Sequence, residues 1–212
     1  DFLLPMTSRS CGATGCTSAS AHFNGSIDLN GSPASRLINY GQLTVGSPAA
    51  SYNITVNLGQ IYNYSGKIDI YGSITMNSTG DGSNQIQNGD MFIVEQNVTT
   101  HGWSIVVNTD SMIIRGSLVN GSDFTNAAGA YLQTGSDFFN QSKQNAKFNN
   151  NGYVLVGRNF TNDYNGIMTG DGGGGMKIRG VSTNNGTITG TQDICDSTAN
   201  ATTKMDNNNG MV

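Results

Sequence analysis

Apolar and polar positions along this chain alternate in short bursts. Ile27 and Leu29, Leu43 and Val45, Ile54, Val56 and Leu58, and Ile68 and Ile70 fall on one side of their segments. Asp28, Thr44, Thr55, Asn57 and Asp69 fall on the other. A period of two marks a strand with one buried face. Each burst runs for about four to six residues and is bounded by turn formers, as in residues 66–72 and 151–157. Gly and Asn at these corners are expected to supply the positive φ of sharp bends.

The bursts recur at irregular intervals, and a repeat near 20 residues is the mark of a solenoid. No helical segment separates them, which argues against βαβ units. The strands are also too short and too weakly apolar for a conventional sandwich core. The expectation is therefore all-β: a right-handed parallel β-helix of about nine coils, at roughly 20–25 residues per coil. A β-sandwich is the competing architecture. Residues 1–22 are expected to form an N-terminal cap or extension, 23–198 the β-helix and 199–212 a C-terminal linker or cap. Residues 122–151 carry Phe124, Tyr131, Leu132, Phe138, Phe139 and Phe148, and are expected to form wider coils with aromatics stacked inside.

Composition narrows the function. Gly, Asn, Ser and Thr make up 98 of 212 residues, and only 11% are charged, with 14 acidic against 10 basic side chains. Gly and Asn disfavour a helical bundle. The acidic balance gives no basic face for nucleic acid. No run of about 18 apolar residues marks a transmembrane segment. Low charge with abundant hydroxyls and amides suits an extracellular protein.

Three cysteines leave three arrangements open. Cys11 and Cys16 frame a short Gly-containing loop and are the preferred local disulfide, with Cys195 free. A long-range bridge and an intermolecular partner are the others.

Candidate chemistry is sparse. His22 and His101 have no nucleophile or metal ligand at a recognised spacing. Glu95 is the sole Glu, and the Asp residues are scattered, so the carboxylate pair of a glycosidase is not legible. Arg115, Arg158, Lys177 and Arg179 lack the Asp cluster that pectin lyase chemistry needs. Asp81 and Asp171, each in a Thr-Gly-Asp-Gly phrase, are candidate calcium ligands or simply turn residues. A threonine row for ice binding fails if its places hold Asp28, Asp69 and Arg179. Tyr62, Tyr64 and Tyr71 form a local cluster that exposed sugar rings would stack on.

Residues 38–45, 160–166 and 185–196 carry Ile-Asn-Tyr-Gly-Gln-Leu-Thr-Val, Phe-Thr-Asn-Asp-Tyr-Asn-Gly and a run ending Asp-Ile-Cys-Asp. Over roughly residues 24–198 the chain resembles the β-helical ectodomains of secreted and surface proteins of the Bacteroidetes, cargo of type IX secretion. That resemblance implies an adhesin or surface scaffold, exported to the cell surface or medium. It also implies O-glycosylation at Asp-Ser/Thr sites, which Ser111 and Ser197 fit. The functional expectation is a non-enzymatic glycoprotein rod at a bacterial surface, whose partners are surface glycans or proteins. A self-assembling filament or surface-layer subunit is the alternative, and a polysaccharide-active enzyme or ice-binding protein ranks below both.

Overall fold

In the computed structural model, residues 11–12, 15–16, 20–78, 84–141, 146–196 and 206–207 are described. Every regular element among them is a strand. One nine-stranded sheet is built from Ser20–Phe23, Gln42–Val45, Lys67–Ile70, Met91–Val94, Ser111–Ile114, Tyr131–Thr134, Tyr153–Val156, Asp171–Ile178 and Thr191–Asp196. These strands lie in chain order and pair in parallel. Parallel neighbours in sequence order require the chain to make a full circuit between them. The molecule is thus a β-solenoid, and the antiparallel sandwich is excluded. Each nine-stranded-sheet segment opens one coil, numbered here 1 to 9, and this sheet is face 1.

The circuit is completed by a thirteen-stranded sheet. Long strands such as Val98–Asn108 and Leu118–Asn126 cross two strips of it, and their register breaks between His101 and Ile105. In other coils the strips are separate strands, such as Ile74–Asn77 with Gln85–Asn88, and Phe138–Asn140 with Lys147–Asn150. The first strip is face 2 and the second is face 3. Among the described residues the first strand of the stack is Ser20–Phe23. Asp206–Asn207 pairs with Ser182–Asn184.

Alternation puts two apolar columns on the inside of face 1. Ile68 and Ile70, Phe92 and Val94, Met112 and Ile114 are all buried. Leu58 departs from the expected pattern. Two successive half-buried positions, Asn57 and Leu58, break the alternation at a bend. Gly59 then faces inward, where a Cβ would come within 2.5 Å of the Leu29 Cβ. The aromatics of residues 122–151 divide. Phe124, Phe138 and Phe148 are buried and meet edge to face, with Phe160 continuing the column. Tyr131 and Phe139 alternate outward. The coils here are no wider than the rest, since register partners Tyr131 and Tyr153 lie 22 positions apart.

The corner asparagines also depart from expectation. Asn165 is the one described non-Gly residue with positive φ. Most corner Asn side chains instead turn inward and form two ladders. In the first, at the end of face 3, Asn39 Nδ2 donates to Asn63 Oδ1 at 2.8 Å. The chain of amides continues through Asn88, Asn108, Asn126 and Asn150 at 2.8–2.9 Å. In the second, at the end of face 2, Asn120, Asn140, Asn162 and Asn184 are linked at 2.7–2.8 Å. Thr100 Oγ1 begins it by donating to Asn120 Oδ1. All of these residues are buried. The remaining amide hydrogen reaches a backbone carbonyl at the start of a following strand, as Asn108 does to Tyr131 O at 2.9 Å and Asn140 to Ile167 O at 3.2 Å. Each buried amide is therefore satisfied, which burial demands, and the ladders lock the corners of successive coils together.

Candidate functional site

The solenoid exposes ordered columns, because every coil repeats the same outward positions. The corner between faces 3 and 1 carries a stacked group of aromatics, two of them exposed. Tyr40 and Tyr64 follow the ladder residues Asn39 and Asn63, so the ladder fixes their position. Their rings stack at 5.2 Å, and Tyr64 stacks on Tyr62 at 5.5 Å with planes 4° apart. Tyr40 is 56% and Tyr64 49% exposed. The Tyr62 hydroxyl bonds to Gln85 Oε1 at 3.2 Å. The three rings make one stack on a rigid corner, with Tyr64 in the middle and Tyr40, canted by 22°, as its most exposed end, so the stack presents an outer ring and a row of hydroxyl-bearing edges. Sugar rings, with apolar C–H faces, stack on such a surface.

Two of the three sequence-predicted tyrosines, Tyr62 and Tyr64, belong to this stack. Tyr71 does not. It follows the face 1 strand Lys67–Ile70, at the opposite edge, where it lies beside Gly46 and Tyr52. Tyr40 is the member that the local clustering missed. The signal for it was the shared Asn-Tyr phrase of residues 39–40 and 63–64, placed on adjacent coils by register.

Face 1 holds a second aromatic stack. Tyr131 and Tyr153 are register partners whose rings lie 5.8 Å apart and 8° from parallel. The Tyr131 hydroxyl donates to Gln133 Oε1 at 2.8 Å. Burial pushes the Tyr131 phenol above its ordinary pKa, and the neighbouring Tyr153 adds to that, while the Arg179 charge works against it.

The other sequence candidates are dispersed. His22 Nε2 bonds to Asn24 Oδ1 at 2.8 Å on the surface. Asp171 opens the strand Asp171–Ile178, which bulges between Asp171 and Gly174, so this Gly-rich stretch is a strand and not a tight turn. Gly174 presses on the coil below, where a Cβ would come within 2.3 Å of Asn150 O. The Asp171 side chain, Asp81 and Ser197 lie outside the described residues. Cys11 and Cys16 are antiparallel backbone partners, and their side chains also lie outside. Cys195 is an exposed free thiol. Ser111 Oγ donates to Asp110 Oδ1 at 2.9 Å. Among the described residues no three His, Cys, Asp or Glu side chains gather as a metal site, and no helix is long and apolar enough to cross a membrane.

Register also corrects the threonine row. Asp69 belongs to face 1 and Arg179 directly follows a face 1 strand, whereas the threonines stand on face 2. There Thr55, Thr75, Thr99, Val119, Phe139, Thr161 and Thr183 form one outward column. Of the charged residues expected to break a threonine row, Asp28 does head this column as the register partner of Thr55, Asp69 and Arg179 do not, and Val119 and Phe139 interrupt it further along.

No family model, curated protein or solved structure matches this chain.

Proposed function

We propose that this protein is an extracellular, non-enzymatic β-solenoid that binds surface glycans, as an adhesive rod at a bacterial surface. The observation that carries this reading is the Tyr40–Tyr64–Tyr62 stack. Large exposed aromatics on a small polar protein are costly to solubility and mark binding sites. Here they are stacked on a corner that two ladder residues hold in place. Rigid aromatics lose little conformational entropy on binding. The type IX secretion setting and O-glycosylation at Ser111 and Ser197 belong to the same proposal, supported by the sequence resemblance.

Binding of neutral glycans to the immobilised protein tests it. Wild type is expected to bind saturably. Tyr64→Ala, which removes the middle ring of the stack, is expected to weaken binding about tenfold, the size of a stacking contact of about 1–3 kcal/mol. Equal binding by wild type and Tyr64→Ala contradicts the assignment of the stack.

A self-assembling reading is favoured by one observation. Cys195 is exposed on Thr191–Asp196, the last strand of face 1 among the described residues. An edge strand offers unpaired backbone groups to another chain, and the thiol stands where such a contact forms. Reductant-sensitive polymers in electron micrographs would favour it over the adhesive rod.

A further inference from the structure

Face 1 changes character along the axis. From coil 3 to coil 8 its strands keep an unbroken four-residue register, so the outward positions form two straight columns on one sheet face. In coils 4 to 7 six of these eight places are apolar or aromatic: Met91, Ile93, Ile113, Tyr131, Tyr153 and Leu155. Four of them are half-buried, Tyr153 is 44% exposed and Ile93 is nearly covered. Face 2 presents its threonine column instead. A contiguous apolar sheet face bounded by charge marks an interaction surface.

Charges of opposite sign stand at the two ends of this patch, in the same column. In coil 3, Asp69 Oδ2 holds Lys67 Nζ at 2.7 Å, while Asp69 Oδ1 is buried without a hydrogen-bond partner. In coil 8, Lys177 is exposed beside Gly175 and makes no ion pair among the described residues. A two-fold pair presents the same patch from both copies, so each contact occurs twice. A half-turn about an axis along the strands, centred between coils 5 and 6, keeps each column opposite itself and reverses the order of coils. Coil 4 then lies on coil 7, and coil 5 on coil 6. Met91 meets the partner's Tyr153, Ile93 meets the partner's Leu155, and Ser111 meets the partner's Tyr131. At each end Asp69 of one copy meets the partner's Lys177. The other half-turn, about the solenoid axis, brings the two Lys177 side chains together in coil 8 with no acid opposite either, so charge selects the antiparallel pair.

We propose that face 1 is the interface of an antiparallel two-fold dimer of this chain, with the apolar places of coils 4 to 7 at its centre and an Asp69–Lys177 pair at each end. Nine coils at about 4.8 Å and four residues at about 3.3 Å make a face of about 43 by 13 Å. Two such faces bury on the order of 1,100 Å², the lower end for a specific interface, so the pair is expected to form in the micromolar range and to exchange. The inference does not rest on the glycan reading, and it differs from growth at a strand edge because the pair is closed.

The test is sedimentation equilibrium of the chain over a concentration series, with reductant present so that no disulfide contributes. Wild type is expected to pass from one chain to two as concentration rises, and no further. Lys177→Asp sets two carboxylates against each other at both ends and is expected to weaken the dimer about tenfold or more. Leu155→Asp puts a charge at the apolar centre and is expected to leave single chains throughout. Asp69→Lys is expected to weaken pairing as Lys177→Asp does. Mixed together, Asp69→Lys and Lys177→Asp are expected to pair with each other near wild-type strength, because one end is then the native pair and the other the reversed pair. Circular dichroism melts establish which variants fold. If Asp69→Lys does not, Lys177→Asp and Leu155→Asp, at exposed and half-buried positions, decide the matter. The proposal is overturned if wild type stays a single chain, if Lys177→Asp or Leu155→Asp dimerises as wild type does, if the folded mixture fails to pair, or if assembly grows beyond two chains. The readout is mass, so its failure leaves the tyrosine stack and its glycan test standing.

Discussion

Asparagine side chains are the residues on which the fold turns. Asn108 accepts from Asn88 and donates to Asn126 and to Tyr131 O. Asn108→Ala leaves a donor on one neighbour and an acceptor on the other unpaired in the core. It is expected to cost about 2–4 kcal/mol, read as a lower chemical-denaturation midpoint. This role was half legible in the sequence. The phrase apolar-x-Asn recurs at Leu37/Asn39, Ile61/Asn63, Ile86/Asn88, Val106/Asn108 and Phe124/Asn126, and alternation puts both residues on the inside. Asn is usually read as a turn former, and that prior hid a buried polar column whose cost only the neighbouring coil removes. At the same scale, Tyr131 predicts an alkaline limit. Its phenol is raised in the folded state, so the folded chain holds this proton more tightly. That contribution is fully present below the unfolded phenol value near 10 and is lost as pH rises through the folded one. Tyr131→Phe is expected to flatten this part of the alkaline decline in melting temperature.

Strands and their corners set the next scale. Period-two alternation made most strands legible, because a half-buried strand has no other way to arrange Ile68, Asp69 and Ile70. Leu58 was misread because alternation was carried through a bend, and a bend resets which side faces the core. The threonine row was judged rightly at Asp28, which shares the Thr55 column, and misjudged at Asp69 and Arg179 for a related cause, since residues of different faces were compared as though they shared one column. Register is a relation between coils, and local pattern does not carry it. Corner glycines are where coils approach most closely. Gly66 has φ +85°, and a Cβ there would lie 2.1 Å from Gly41 O. Gly66→Ala is expected to destabilise by about 1–3 kcal/mol, from backbone strain and displacement of the coil beside it. A melting temperature equal to wild type would show that this corner has room the structure denies it.

At the scale of the whole molecule, the nine described coils at about 4.8 Å make a stack about 40 Å long, with ladders and apolar columns running along it. Each coil depends on its neighbours rather than on a common centre, which is how few apolar residues per coil suffice. The same repetition turns single outward residues into columns, and neighbouring columns into surfaces: a tyrosine stack at one corner and the Tyr131–Tyr153 pair on face 1. Of these surfaces the sequence disclosed Tyr62 and Tyr64 by proximity. Tyr40 and the Tyr131–Tyr153 pair are 22 or more residues from their partners and needed the register. The central claim is binding without turnover, and one measurement addresses it most directly. Neutral glycans are incubated with wild type and Tyr64→Ala, bound fractions are measured, and the chain length of the recovered glycan is determined. The account predicts saturable binding by wild type, weakened in Tyr64→Ala, with glycan length unchanged. Shortened glycan, or no binding by wild type, would contradict it.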